Sequence, residues 1–269
     1  TDSLAPKLYR ESVKDTLKLW FNPAGTKTPW QLGVQSGLNS IDTLKFNTSV
    51  AMPAFDKLRV ENAPESGVIQ QTLKPGAPLE LSLLRPLSSF DASKIIQIRD
   101  SIPVSDTLYF AQDSIYPRKF LLHGRWQEGN TYKLNIPPGA IQDIYGKTTD
   151  SLRISVTVGK TEDYGNLVVK IAAIDSNMHY VVQITDESQR ILYEKQIHGN
   201  APEGISLNLL SPGKYTLKVI KDGNNNGIWD TGSLQFHRQP EKIVLIPVEE
   251  IKANWDVETS VNLIQIFKE

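Results

Sequence analysis

Cysteine is absent from the 269 residues, so the sequence contains no disulfide, no thiolate metal site and no cysteine nucleophile. That fits a reducing cytosol, and equally a bacterial envelope protein that does without bridges. Histidine is scarce: His123, His179, His198 and His237 stand far apart in sequence, with no pair at the roughly two- to four-residue spacing of a zinc site within one element. Packed or solvated histidines are the expectation. No apolar run approaches the roughly 20 residues that span a bilayer. There is no GxSxG elbow, no phosphate-cradling glycine loop and no serine in a triad motif, so no enzyme is expected and no catalytic residue is proposed. Basic runs are missing too, and 29 Lys and Arg against 30 Asp and Glu leave a net charge of −1, which argues against nucleic acid as a partner. Neither a repeat of fixed period nor a low-complexity tract is present.

What is present is ordinary globular composition, 39% hydrophobic and 22% charged, in a chain longer than the usual single domain of about 100 to 200 residues. Short segments alternate apolar and polar residues: "DTLKLWF" (Asp15 to Phe21), "TYKLNI" (Thr131 to Ile136), "LRISVTV" (Leu152 to Val158), "LVVKI" (Leu167 to Ile171) and "KYTLKVI" (Lys214 to Ile220). A period of two sends one row of side chains to a core and the next to water, so these read as antiparallel strands. Turn signals separate them, including "NPAG" at Asn22, "IPPGA" at Ile136 and "SPGK" at Ser211. Only "SSFDASKIIQIRD" and the stretch around "PGAIQD" have room for a helical turn. The reading is all-β: a string of β-sandwich modules, with a partial β module over 1–50, a sandwich over 51–160 and another over 161–269. The opening "TDSLAPKLYR" reads as the start of a processed or truncated chain.

The most distinctive stretch is "KDGNNNGIWDTG", Lys221 to Gly232. With Asp222 at position 1, Asn224 and Asn226 fall at positions 3 and 5, Gly227 at 6, the Ile228 carbonyl at 7 and Asp230 at 9, the order in which alternate oxygens converge on calcium in an EF-hand loop. Position 12 is Ser233 and not glutamate, and a strand precedes the loop. Two readings stand open: a Ca²⁺ site of the weak extracellular class, about 10⁻⁴ to 10⁻³ M, or a hairpin loop whose asparagines form Asx turns and whose glycines take positive φ. The tryptophans also have two readings. Trp20, Trp30, Trp126, Trp229 and Trp255 have faces suited to sugar rings, but each lies beside a strand or turn where packing explains it.

"EGNTYKLNIPPGAIQDIYGKTTDSLRISVTVG" (Glu128 to Gly159) resembles the closing half of a bacterial Ig-like domain of the SbsA type, found in surface-layer and lipoprotein chains. The resemblance implies scaffold and not catalytic positions for Tyr132, Gly139, Ala140, Asp143 and Gly146. "PLELSLLRPLSSFDASKIIQI" (Pro78 to Ile98) resembles its opening strand, with Leu84 and Arg85 in place of phenylalanine and serine. "LSPGKYTLKVIKDGNNNGIWDTG", with "RQPEKIVLIP" and "IKANWDVE", resembles the C-terminus of Bacteroidetes Ig-like-domain envelope lipoproteins, whose last module is of the transthyretin or carboxypeptidase-regulatory type. In that module Arg238, Glu241 and Asp256 are expected to pair and Trp255 to close the core. The resemblance implies an exported protein of the periplasm or outer-membrane surface, membrane-associated only through a lipid anchor outside this sequence. The functional expectation is a non-enzymatic scaffold holding envelope proteins or surface glycans, with a carbohydrate-binding or adhesin role as the alternative.

Overall fold

The computed structural model describes residues 8–13, 16–21, 30–36, 39–46, 57–61, 63–64, 67–113, 115–199 and 204–268. It is built almost wholly of strands, in two compact units, Thr1–Val158 and Gly159–Glu269. The all-β, multi-sandwich expectation holds. The turn expected at Asn22, and residues 47–56 around the first module boundary expected at 50, lie outside the described residues.

The first unit opens with two hairpins. β1 (Leu8–Val13) pairs with β2 (Thr16–Phe21), and β3 (Trp30–Ser36) pairs with β4 (Asn39–Phe46), each pair a sheet of its own. A two-stranded ribbon is marginal by itself in water. β1 gains an anchor from Glu11, whose buried carboxylate accepts two hydrogen bonds from Arg118, at 2.6 and 2.7 Å. The same guanidinium reaches Glu61 and the Leu83 carbonyl, and lies 5.4 Å from the centre of the Trp20 ring. The first hairpin is thus clasped to the sandwich that follows.

That sandwich comprises β5 (Val68–Leu73), β6 (Leu79–Ser82), β7 (Leu87–Phe90), β8 (Ile96–Arg99), β9 (Ile102–Val104), β10 (Tyr109–Gln112), β11 (Lys119–His123), β12 (Thr131–Ile136), β13 (Ile141–Asp143) and β14 (Leu152–Val158). A five-stranded sheet, β5-β14-β12-β8-β9, shares one core with the three-stranded β10-β11-β6 and the pair β13-β7. Alternation decides what that core holds: Tyr132, Leu134 and Ile136 of β12 and Ile154, Val156 and Val158 of β14 point inward, to meet Leu79, Leu81, Phe120 and Leu122. This is a β-sandwich, as the alternation predicts. Four of the residues that the resemblance singles out make turns or hold them. The Tyr132 hydroxyl accepts from the Gln127 amide and donates to the Arg125 carbonyl, Gly139 and Gly146 take φ of 79° and 77°, and Asp143 accepts from the Tyr145 and Lys147 amides. Arg85, where the resemblance departs from its pattern, forms a buried ion pair with Asp143.

In the second unit, β15 (Gly165–Ala173), β16 (His179–Asp186), β17 (Ile191–His198), β18 (Ile205–Leu210), β19 (Tyr215–Asp222), β20 (Ile243–Pro247) and β21 (Asp256–Asn262) make two sheets, β18-β15-β21 and β17-β16-β19-β20. Leu167, Val169 and Val257 from one sheet pack with Tyr180, Val182, Leu217 and Val219 from the other. A single turn of helix, Leu263–Ile266, follows with Asn262 as its cap, its side chain accepting from the Gln265 amide, and with Leu263 buried. Nothing in the sequence reading anticipated that turn. Of the two stretches with room for one, only the first holds it, a 3₁₀ turn at Ala92–Lys94.

One correction concerns direction. The strands were read as antiparallel, yet β14 runs parallel to β5, and β15 parallel to β21. In each case the partners stand at opposite ends of their sandwich in sequence, and so much chain lies between them that no hairpin dictates their direction. Local alternation tells which face of a strand is buried and nothing about the direction of its neighbour.

Candidate functional site

β19 ends at Asp222, and the long connection to β20 begins there. The sheet order explains where this loop goes. Gly227 lies against Gln196 of β17, two strands away across β16, so close that a Cβ on Gly227 would stand 1.9 Å from the Gln196 amide nitrogen. The segment therefore crosses the outer face of the sheet. This accounts for a departure from alternation: β16 is buried on both faces, and Val181, Ile220 and Asp222, all on the outer row, are 1%, 1% and 2% exposed.

Every predicted ligand residue takes part in one hydrogen-bonded loop. Asp222 points its carboxylate under the backbone and accepts from the amides of Asn226 (3.3 Å) and Gly227 (2.8 Å). Asn224 Oδ1 accepts from the Asn226 amide and Asn226 Oδ1 from the Ile228 amide, two successive Asx turns. Asn224 and Asn226 each donate through Nδ2 to Asp230 Oδ2, at 2.6 and 2.7 Å. Positions 3, 5 and 9 thus meet at one carboxylate, while position 1 lies beneath them. Gly227 holds φ of 78°, as the sharp turn demands. Ile228, whose carbonyl occupies position 7, sends its side chain outward. Among the described residues, no group of three or more His, Asp and Glu comes together as a metal cluster, so a cation here would rest mainly on asparagine and backbone oxygens. The Asp222 and asparagine oxygens each spend one lone pair on a backbone amide and keep a second, whereas Asp230 Oδ2 accepts from both asparagines, so Asp230 would meet a cation through Oδ1. The donor set fits a hard, weakly held ion such as Ca²⁺.

Glu241 is the participant that the sequence reading misplaced. Instead of pairing with Arg238 and Asp256, it braces the loop from below: its two oxygens accept from the Gly223 amide (2.7 Å) and the Asp230 amide (3.0 Å), and its carbonyl accepts from the Trp229 indole. Arg238 donates to the Thr231 carbonyl, and Asp256 accepts from Asn166. A carboxylate that collects backbone amides from a loop 11 to 18 residues upstream leaves no short-range signature.

Beyond Asp230 the chain makes a small turn. Ser233 and Arg238 exchange both backbone hydrogen bonds, and the His237 amide closes onto the Leu234 carbonyl. Between them Leu234 is 97% exposed and Phe236 75% exposed. Two large apolar side chains in water at the end of a fixed turn are unusual enough to need a reason.

The tryptophans divide. Trp126 packs on the first core, edge-on to Tyr132, and Trp20 lies under Arg118. Trp255 does not close the second core as expected: it is 48% exposed with the Lys252 ammonium over its ring. Trp229 is 42% exposed and tethered through its indole N–H. The side chain of Trp30 lies outside the described residues.

No family model matches the chain, and no curated protein is similar to it. Solved structures similar to it include the N-terminal part of the bacterial S-layer protein SbsC, at 11% identity and a TM-score of 0.34 over 72% of this chain, and native alpha-2-macroglobulin of Escherichia coli, at 11% and 0.30 over 71% of each chain. The major pilin subunit BcpA of Bacillus cereus is similar at 10% identity and a TM-score of 0.24, covering 93% of this chain and 80% of that one. The chain spans 44% of the S-layer structure's length. The fold assignment above rests on the sheets and cores themselves.

Proposed function

We propose that this chain is a non-enzymatic interaction module of the bacterial cell envelope, exported, which binds a partner protein through the turn that carries Leu234 and Phe236. The observation that carries the reading is the exposure of those two side chains on a backbone that is already ordered. Apolar anchors presented without freedom to lose are what a binding hot spot requires, and a braced loop on a sandwich is a common way to present them. Ca²⁺ belongs to the proposal as the ion held by Asp222, Asn224, Asn226, the Ile228 carbonyl and Asp230, stiffening the base of the loop. The Bacteroidetes-type envelope resemblance of the same segment supports the compartment.

The test is chemical cross-linking in the native envelope with identification of the captured proteins. The parent and an Ile115→Ser control, altered at an exposed apolar residue of the first unit, should capture the same partner, and Leu234→Ser/Phe236→Ser should lose it. Equal capture by the double variant contradicts the reading. Retention of the parent on a glycan array through Trp229 or Trp255, with no protein captured, would replace it by the carbohydrate-binding alternative.

A further inference from the structure

The four histidines are remote in sequence, yet the sheet brings two of them together. His179 opens β16 and His198 closes β17, and antiparallel pairing sets them directly opposite. Their rings stack with centroids 3.9 Å apart and planes 14° from parallel. Residues opposite each other in an antiparallel pair project from the same face with Cβ atoms about 4.5–5.5 Å apart. His179 also stands opposite Asp222 on β19, so His198, His179 and Asp222 form one row across the outer face, at the end of the sheet where the long loop departs. Asp222 is committed to the amides of Asn226 and Gly227. The two imidazoles remain, one half-buried and one exposed.

We propose that His179 and His198 form a chelating site for a borderline divalent transition ion of the Zn²⁺, Ni²⁺ or Cu²⁺ class. Imidazole nitrogens bind such ions at about 2.0–2.1 Å, which puts two nitrogens on one ion about 3 Å apart. An ion lies in the plane of each imidazole, on the nitrogen lone pair, so to bind it the rings turn out of their stack about their side-chain bonds until the two lone pairs converge, while the strand pairing keeps them within reach of each other. The backbone has already fixed the pair, so the ion need order only two side chains, and water completes its shell. The site differs in chemistry from the neighbouring oxygen loop: hard Ca²⁺ selects carboxylate and amide oxygens, while a borderline ion selects imidazole. The inference therefore stands whether or not the loop binds Ca²⁺.

The experiment is calorimetric titration of Zn²⁺ into the whole chain at neutral pH in excess Ca²⁺, which fills the oxygen loop if it is a site. The parent should bind one ion, and His198→Ala and His179→Ala should each lose at least tenfold in affinity. His237→Ala, in the exposed turn, should bind as the parent does. His198 is exposed, so its variant should keep the parent's thermal midpoint, and His198→Gln serves as a second variant if the alanine does not. Absence of heat from the parent up to millimolar Zn²⁺ would overturn the site. So would undiminished binding by both single variants at His198.

Discussion

Arg85 and Asp143 show how much one departure from a familiar pattern can matter. Asp143 is fully buried at its side chain and caps the turn toward Lys147, and Arg85 is the cation that accompanies it out of water. Removing one member of a buried pair leaves the other charge uncompensated, which costs about 3–5 kcal/mol. Arg85→Met, similar in volume but neutral, should therefore destabilise the first unit by about 3 kcal/mol in urea unfolding. A loss below about 1 kcal/mol, the range of an exposed pair, would show that the two amides suffice for Asp143. In sequence, Arg85 registers only as a mismatch to the resemblance. Its purpose needs the 58-residue separation to be closed by the fold.

Among the elements, the hairpin β1-β2 depends most visibly on charge. The hydrogen bonds from Arg118 hold the Glu11 carboxyl below the usual glutamate range, against the opposing effect of burial, and Glu11 in turn raises Arg118 further above its ordinary value. A carboxylate whose folded pKa is lowered contributes stability that is fully present above its unfolded value, about 4.3, and is lost as pH falls through the lowered folded value. The clasp should thus hold at pH 5 to 7 and release as the pH falls from about 4. Trp20 under Arg118 reports it: its fluorescence should change in that window in the parent. In Glu11→Gln it should already be shifted at neutral pH and flat below. A parent signal unchanged down to pH 2 would contradict the clasp. Strands were legible where one face meets a core and the other meets water, as in Thr131–Ile136 and Leu152–Val158, which match the sequence segments to the residue. They were less legible where the rule breaks. The outer row of β16 is roofed by a loop whose path depends on sheet order, and the two parallel pairings join strands far apart in sequence. The candidate site follows the same division. Asp222 to Asp230 lie close together in the chain, so their spacing shows, whereas Glu241 and the His179–His198 pair are assembled across strands and have no spacing to read.

At the scale of the whole molecule, the two units differ in where their polar groups lie. The first draws two charge clusters toward its core, the Arg85–Asp143 pair and the Glu11–Arg118–Glu61 cluster. The second turns a polar loop, an apolar turn and a histidine pair toward solvent at one end of its four-stranded sheet. The proposed function makes the loop after β19 the working part, with Ca²⁺ as the ion at its base. An ion that binds only the folded state adds RT ln(1 + [L]/Kd), so 10 mM Ca²⁺ acting on a site of about 1 mM is worth about 1.4 kcal/mol. The most direct measurement is thermal unfolding of the whole chain with 10 mM Ca²⁺ and with chelator, followed by tryptophan fluorescence, in the parent and in Asp222→Asn. Asp222 also accepts two backbone amides, so the variant should be less stable in both buffers, and the informative quantity is the Ca²⁺-dependent difference. The account predicts a higher midpoint with Ca²⁺ in the parent and none in the variant. Equal midpoints in the parent with Ca²⁺ and with chelator would contradict it, leaving the stretch from Asp222 to Asp230 a self-closed turn.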